Sequence, residues 1–298
     1  MTSERCYQVH GNVFSVEPIA VGLYVAATPI GNLGDVTLRA LETLAAADLL
    51  ACEDTRVTSR LTQHYGISTP LIAYHEHNAE RQIPRILAAI GKGNAVALVS
   101  DAGTPLVSDP GYRLVTGAIA AGHDIIPIPG PSAMLAGLVG AGLPTDRFLF
   151  AGFLPTRAAA RRKKLADIAG LPATLIFYEA PRRVAATLAD MSNSLGGDRP
   201  AAVARELTKM FETFRRGTLD QLAGIFSNEA PPKGEVTIIV GPAIADVPDE
   251  VEIDTLLRQR MKQTSLAEAV AEVTAATGAA RNLVYRRALA VSAVDDSR

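Results

Sequence analysis

The sequence predicts an α/β protein with two consecutive α/β domains, followed by a small C-terminal helical module. In the first half of the chain, apolar runs typical of strands alternate five times with helical patterns. The second half again mixes strands and helices but with a different rhythm, which indicates a separate sheet. Beyond a linker-like stretch at 243–250, rich in small and acidic residues, three short helical segments complete the chain.

The chain as a whole has the composition of a globular protein. Its 298 residues are enough for two hydrophobic cores, 48% of them are hydrophobic, and Trp is absent. No apolar run reaches the length of a membrane span, and the N-terminus lacks the apolar core of a signal peptide. Two cysteines do not make a disulfide framework. We therefore expect a cytoplasmic protein without a membrane partner. The net charge of −2 neither supports nor excludes a nucleic-acid partner, because local patches matter more than totals.

The first α/β domain is predicted at 22–144, after an N-terminal tail at 1–21 that shows only weak periodicity and could include an edge strand. Asp35 or Thr37 can cap its first helix, and Thr58 or Ser59 its second. Strict alternation of strands and helices implies a mostly parallel sheet with helices on both faces. The predicted strands are 23–29, 49–52, 70–74, 96–99 and 124–128, and the predicted helices are 38–47, 58–65, 80–90, 114–121 and one that opens at 129–133.

The second α/β domain is predicted at 145–243, where neighbouring strands include antiparallel pairs, so its sheet is mixed. The last segment, 252–298, carries Gly278 between its final two helices, which suits a helix-turn-helix-like module. A helical tail packed on the body or on a partner subunit remains an alternative. The predicted strands are 148–153, 174–178, 201–206, 211–217 and 235–240, and the helices are 157–169, 182–195, 219–226, 253–261, 266–276 and 280–290.

The loop at 101–111 is the strongest indication of a ligand site. It follows a buried strand and contains two glycines, two prolines and two aspartates, whereas an ordinary connection of this type needs two to six residues. Small residues let a ligand approach the backbone closely. With the loops at 130–133, 178–183 and 204–209, it makes four loops at strand ends, divided between the two halves. The sequence therefore predicts a binding cleft between the domains.

Other common sites are disfavoured. No glycine-rich dinucleotide fingerprint follows the first strand, and no P-loop or serine nucleophile elbow is present. His75 and His77 would point to one side of an extended segment, but no third metal ligand is evident. We therefore predict no metal, and interpret this pair as a solvated loop or a substrate contact.

Seven segments, in order along the chain, carry a resemblance to the tetrapyrrole-methylase-like (class III) S-adenosylmethionine methyltransferases. The resemblance is close over 22–242 and loose over the C-terminal helices, and the N-terminal residues lie outside it. The segments are ATPIGNLGD at 27–35, CEDTR at 52–56, SDAGTPLVSDPG at 100–111, GPSA at 130–133, YEAPRR at 178–183, ARELTK at 204–209 and GEV at 234–236.

This resemblance implies two α/β domains with S-adenosylmethionine folded into the cleft between them. The most similar branch of the family methylates the ribose 2′-oxygen of a cytidine in 16S ribosomal RNA. That branch implies 16S rRNA or the small ribosomal subunit as the partner, and a homodimer. Carried over by position, the cofactor-binding residues are Pro29, Asp101, Gly103, Thr104, Ser132, Ala133, Tyr178, Leu207 and Glu235.

Such a reaction needs a base near the ribose hydroxyl and cations for the neighbouring phosphates. We predict Glu206 and Asp54 as the first candidates for the base, because each follows a strand beside a basic residue, with Lys209 as a further catalytic candidate. Two alternatives stay open: a C-methyltransferase acting on a corrin precursor, and a non-catalytic RNA-binding assembly factor. The predicted RNA-binding residues are Arg56, Arg157, Arg161, Arg162, Arg182, Arg183 and Arg205.

Overall fold

A computed structural model describes residues 5–243 and 250–295. It contains two compact units, Met1–Pro242 and Ala243–Arg298. Most of the predicted linker at 243–250 lies outside the described residues. Both predicted α/β domains belong to the first unit, and the predicted helical module to the second.

Residues 6–15 form an antiparallel hairpin, where the sequence predicted a tail that could include an edge strand. Strand β1 (Cys6–Val9) pairs with β2 (Asn12–Ser15) in a small sheet of their own. Tyr7 is 4% exposed and belongs to the core of the first domain, and the Gln8 amide donates to the carbonyl oxygen of Tyr65 at 2.7 Å. The hairpin is therefore an integral part of that domain.

The first sheet is fully parallel, as predicted, with the strand order β5-β4-β6-β3-β7. Central strand β6 is buried throughout, and its side chains alternate between two hydrophobic clusters, one on each face of the sheet. The strands are β3 (Gly22–Ala26), β4 (Leu49–Cys52), β5 (Leu71–Ala73), β6 (Ala95–Val99) and β7 (Ile125–Ile128). The helices are α1 (Leu38–Ala46), α2 (Thr55–His64), α3 (Ala79–Gly91), α4 (Tyr112–Ala120) and α5 (Ala133–Ala141).

The starts of α1 and α2 test the capping predictions. Thr37 caps α1, accepting a hydrogen bond from the Ala40 amide at 3.1 Å, as predicted. The prediction for α2 was wrong: Asp54 is its N-cap and the helix begins at Thr55, so Thr58 lies inside it. A carboxylate at the end of a strand outcompetes the later hydroxyls as a cap.

The second sheet is mixed, as predicted, with the order β11-β10-β12-β9-β8, in which only β8 and β9 pair in parallel. Helix α5 packs against one face of this sheet, with Leu138 and Ala141 beside Ile176 and Ile239. This packing joins the two sheets into one unit. The elements are β8 (Phe148–Phe153), α6 (Ala158–Ala166), β9 (Thr174–Glu179), α7 (Val184–Leu195), β10 (Pro200–Arg205), β11 (Thr213–Thr218), α8 (Leu219–Asn228) and β12 (Val236–Val240).

The second unit consists of α9 (Glu250–Met261), α10 (Leu266–Thr277) and α11 (Arg281–Asp295) around a small apolar core. Ser265 and Glu268 form a capping box at the start of α10, and Gly278, with φ +66°, ends it. Among the described residues, no helix combines the length and apolarity needed to cross a bilayer.

Candidate active site

A cavity of about 450 Å³ lies between the two α/β domains, where loops from both sheets meet. This volume is in the range of small-molecule sites. Seven of the nine predicted cofactor-binding residues line it: Asp101, Gly103, Thr104, Ser132, Ala133, Tyr178 and Glu235. Pro29 and Leu207 do not line it. Leu207 instead packs with Ile30, whose side chain does reach the cavity.

Two of the cavity loops are joined by backbone hydrogen bonds. The Thr28 amide donates to the Gly103 carbonyl oxygen at 2.8 Å, and the Gly103 amide donates back to that of Thr28 at 3.0 Å. Gly103 has φ +82°, and a Cβ there would lie 3.3 Å from Ile30 Cγ2. The position therefore favours glycine both by backbone conformation and by space. Pro29, which is outside the cavity lining, directly follows Thr28 in the chain.

The same loop is strained where it turns back toward the cavity. Leu106 and Ser108 have φ values of +72° and +66°, which non-glycine residues seldom adopt. Leu106 packs into the core of the first domain, so tightly that a Cβ at Gly111 would lie 2.8 Å from its Cδ1. Anchored in this way, the loop presents Val107, Ser108 and Asp109 to the cavity. Strain of this kind is maintained by surrounding packing and clusters at functional sites.

Three carboxylates, Glu53, Asp101 and Asp109, line one part of the cavity. Burial, followed by the charge of Glu53, raises the pKa of Asp109 to about 6. Burial, followed by the charge of Asp101, raises the pKa of Glu53. The sequence predictions missed Glu53 and Asp109, although both lie in segments quoted for the resemblance. Position at a strand end was visible in the sequence, but burial was not.

An aromatic wall from the second domain faces these carboxylates. The ring of Tyr178 makes edge contacts with Phe150 and Phe153, at centroid distances of 4.9 and 5.6 Å. Its hydroxyl accepts a hydrogen bond from the Met134 amide at 3.1 Å, which leaves its own proton available. Phe153 is 58% exposed and lines the cavity, a role that the sequence predictions did not give it.

Glu206 and Lys209, two predicted catalytic residues, lie outside the cavity lining in an ion cluster with Glu235. Lys209 Nζ is 2.9 Å from Glu206 Oε1 and 3.0 Å from Glu235 Oε2. The hydrogen bonds from Lys209 and from the Glu235 amide lower the pKa of Glu206. A carboxylate held in this way is a weak proton acceptor. A Cβ at Gly31 would lie 2.4 Å from Lys209 Cε, so this cluster contacts the first loop of the other domain.

Asp54, the remaining catalytic candidate, serves the helix that it caps. It accepts hydrogen bonds from the side chain and backbone of Arg56, which lower its pKa to about 2. Its own amide donates to Asp101 Oδ1 at 3.0 Å. Asp54 thereby orients a cavity carboxylate, but its low pKa counts against a role as the base.

Glu179 also lines the cavity, but its carboxylate has structural partners. Glu179 is 3% exposed and accepts hydrogen bonds from the Ala180 amide and the Thr187 hydroxyl, at 2.7 and 2.6 Å. The rings of His75 and His77 are 6.0 Å apart. Within residues 5–243 and 250–295, no group of three or more His, Cys, Asp or Glu side chains is arranged to hold a metal ion.

The predicted RNA-binding arginines differ in accessibility. Arg56, Arg157, Arg162 and Arg182 are exposed. The prediction that Arg161 binds RNA was wrong. Arg161 is 6% exposed, and its Nε donates to Asp190 Oδ2 at 2.7 Å, so it joins α6 to α7. In the sequence it is one of several adjacent basic residues, but the helical period turns it inward.

Arg183 and Arg205 are partly occupied by internal contacts. Arg183 donates to the carbonyl oxygens of Leu154 and Pro155, and Arg205 donates to those of Phe211 and Lys233. These two arginines hold loops near the cleft, and each is only partly exposed.

Comparison with known proteins identifies the family. A family model described as "Tetrapyrrole (Corrin/Porphyrin) Methylases" matches residues 22–223, and one described as "RsmI C-terminal HTH domain" matches 247–292. A Mesorhizobium japonicum protein named ribosomal RNA small subunit methyltransferase I is 53% identical, covering 91% of this chain and 92% of its own. A Pseudomonas aeruginosa protein of the same name is 46% identical, covering 90% and 96%.

Solved structures agree with the fold. The methyltransferase CobJ matches with a TM-score of 0.56 at 21% identity, covering 74% of this chain and 94% of that one. A diphthine synthase matches with a TM-score of 0.55 at 16% identity, covering 74% and 89%. The helix-turn-helix interpretation of the C-terminal helices is favoured over a simple tail by the second family model. The chain belongs to the tetrapyrrole (corrin/porphyrin) methylase family, among the relatives named ribosomal RNA small subunit methyltransferase I, and is therefore a methyltransferase.

Proposed function

We propose that the protein transfers the methyl group of S-adenosylmethionine to the ribose 2′-hydroxyl of a cytidine in 16S ribosomal RNA. The observation that carries this proposal is the interdomain cavity, formed by the segments that the sequence shares with this family. The names of relatives at 44–53% identity support ribosomal RNA of the small subunit as the substrate. They favour it over the corrin-precursor alternative.

The residues around the cavity fit the cofactor. S-adenosylmethionine supplies a methyl group on a sulfonium, which leaves as a neutral thioether. The small residues Ala102 and Gly103 leave room for its methionine and ribose parts beside Thr104, and Tyr178 with Phe153 suits the flat adenine. Carboxylates in the cavity complement the positive charges of S-adenosylmethionine. A site for a dinucleotide or a nucleoside triphosphate, whose phosphates are negative, would not need them.

The exposed arginines provide a docking surface for phosphates. Arg182 lies in the short 3-10 helix Pro181–Arg183, just before α7. Four further basic residues lie at or within α6, and all five are exposed: Arg157, Arg162, Lys163 and Lys164 together with Arg182. Basic side chains of this kind bind the sugar-phosphate backbone and position it without reading bases. We therefore assign RNA docking to this surface and omit Arg161.

Two further statements belong to the proposal. We expect a homodimer, which agrees with the exposure of Leu135 and Val139 on α5, at 47% and 75%. Sedimentation velocity would test this, and a monomer at micromolar concentration would count against it. We also expect the protein to act in the cytoplasm, where ribosomal subunits assemble.

A methylation assay tests the main proposal. The protein would be incubated with radiolabelled S-adenosylmethionine and, in parallel, with small ribosomal subunits, naked 16S rRNA or a tetrapyrrole. We expect label in rRNA at one cytidine whose 3′ phosphodiester becomes resistant to alkali, because a 2′-O-methyl group blocks hydrolysis. Label only in the tetrapyrrole, or binding of RNA without uptake of the cofactor, would contradict the proposal.

A further inference from the structure

The residue that removes the proton from the ribose hydroxyl must be a cavity group with a free acceptor atom. Two acidic groups at the cavity are poor candidates. Glu179 accepts hydrogen bonds on both oxygens, and Glu235 is paired with Lys209 at the rim. Among the residues that the structure describes, Asp101 accepts from the Asp54 amide on Oδ1 and keeps Oδ2 free, and Asp109 has one side-chain hydrogen bond, with Ser100. Glu53, Asp101 and Asp109 remain.

Asp109 is the best placed of these three. The left-handed backbone at Leu106 and Ser108 turns the loop back so that Asp109 lines the cavity. Within the part of the chain that the structure describes, no Lys, Arg or His forms an ion pair with it. The Tyr178 hydroxyl lies close enough for its pKa to be affected by the charge of Asp109. A substrate group held between the aromatic wall at Tyr178 and the loop at 106–109 would therefore contact Asp109.

We propose that Asp109 is the catalytic base, which accepts the proton of the ribose 2′-hydroxyl during methyl transfer. This inference rests on the proposed function. The 2′-oxygen forms a bond to the methyl carbon, the carbon–sulfur bond breaks, and its electron pair stays on sulfur. The hydroxyl proton passes to the Asp109 carboxylate, so charge and atoms balance and no further reactant is required.

The surroundings of Asp109 suit this role. Burial and the neighbouring charges of Glu53 and Asp101 raise its pKa to about 6, which makes it a stronger base than an exposed aspartate yet leaves it ionised at neutral pH. The charged or titratable groups that face it are Glu53, Asp101 and Tyr178. Glu53 is therefore a positioning residue, since it acts through the charge that it places beside Asp109.

The first test replaces the carboxylate with an amide. We expect Asp109→Asn to lower kcat on the rRNA substrate by about 10²- to 10⁴-fold and to remove the fall in rate below about pH 6. Calorimetry should show that S-adenosylhomocysteine still binds within about threefold of the parent affinity. Asp146→Asn, a matched change at an exposed position outside the cavity, should leave rate and affinity unchanged.

The second test uses Glu53→Gln. Removing that negative charge lowers the pKa of Asp109. The fall in kcat at acidic pH should therefore still occur, but at a lower pH than in the parent. Three results would each overturn the inference. Asp109→Asn could keep kcat within threefold of the parent, or it could lose S-adenosylhomocysteine binding. In Glu53→Gln, the fall in kcat at acidic pH could stay where it is in the parent. If the parent protein methylates no ribose, the proposed function fails instead, and the two failures are distinct.

Discussion

The ionised Asp109 should make the native protein less stable, and Asp109→Asn should therefore raise its free energy of unfolding. Burial and nearby charge raise the pKa of Asp109 from its usual 3.8 to about 6. At about 1.4 kcal/mol for each tenfold change in proton affinity, the ionised group lowers the free energy of unfolding by at most about 3 kcal/mol. Solvent in the open cleft screens part of this effect. We therefore expect the variant to gain about 1–2 kcal/mol in free energy of unfolding at pH 7.5.

The pH dependence of this gain identifies its origin. The pKa of Asp109 is higher in the folded protein than in the unfolded chain. The loss of stability that it causes is therefore absent below about pH 4, grows up to about pH 6, and is constant above that pH. Urea unfolding followed by far-ultraviolet circular dichroism suits a chain without Trp. The gain at pH 5 should be about half of that at pH 7.5. A variant that is less stable than the parent, or a gain independent of pH, would refute the reasoning.

Three other changes test the remaining parts of the structure. Arg161→Ala leaves the Asp190 carboxylate without its buried partner and should lower the free energy of unfolding by about 3–5 kcal/mol in urea titrations, with cofactor affinity intact in the folded protein. Arg162→Ala should lower the free energy of unfolding by less than about 1 kcal/mol, because its ion pair with Asp190, at 3.7 Å, is exposed on the arginine side. It should reduce the slope of log affinity for rRNA against log salt by about 0.7–1, measured by filter binding. Tyr178→Phe, which removes an acceptor for the Met134 amide and a donor in the cavity, should weaken S-adenosylhomocysteine binding about 3- to 10-fold by calorimetry.

The order of strands and helices was predictable because hydrophobic periodicity reports it directly. The buried run at 96–99 placed the first sheet correctly, and the loop after it lines the interdomain cavity. Helix α2 was predicted to begin too late, since several adjacent residues can act as caps and only the three-dimensional strand end selects Asp54. The N-terminal hairpin was predicted only as a tail that could include an edge strand, because β2 is exposed along its whole length and so carries little hydrophobic periodicity.

The cavity lining was predicted better than the chemistry within it. Backbone-rich loops such as that of Gly103 are visible as runs of small residues. The partners of a side chain are not visible in this way. Asp54 and Glu206 look like reactive acids in the sequence, but hydrogen bonds from Arg56 and Lys209 hold them as carboxylates. Asp109 acquires its raised pKa only from the fold.

The paired backbone amides of Thr28 and Gly103 have a consequence for how the protein could change its chemistry. Because these hydrogen bonds join main-chain atoms alone, most side-chain substitutions in the two loops leave the bridge intact. The part of the cavity that the bridge shapes is therefore insulated from such substitutions, whereas the aromatic contact of Tyr178 with Phe153 is not. A change of methyl acceptor would act instead on the exposed basic residues of α6, which lie outside the cavity lining.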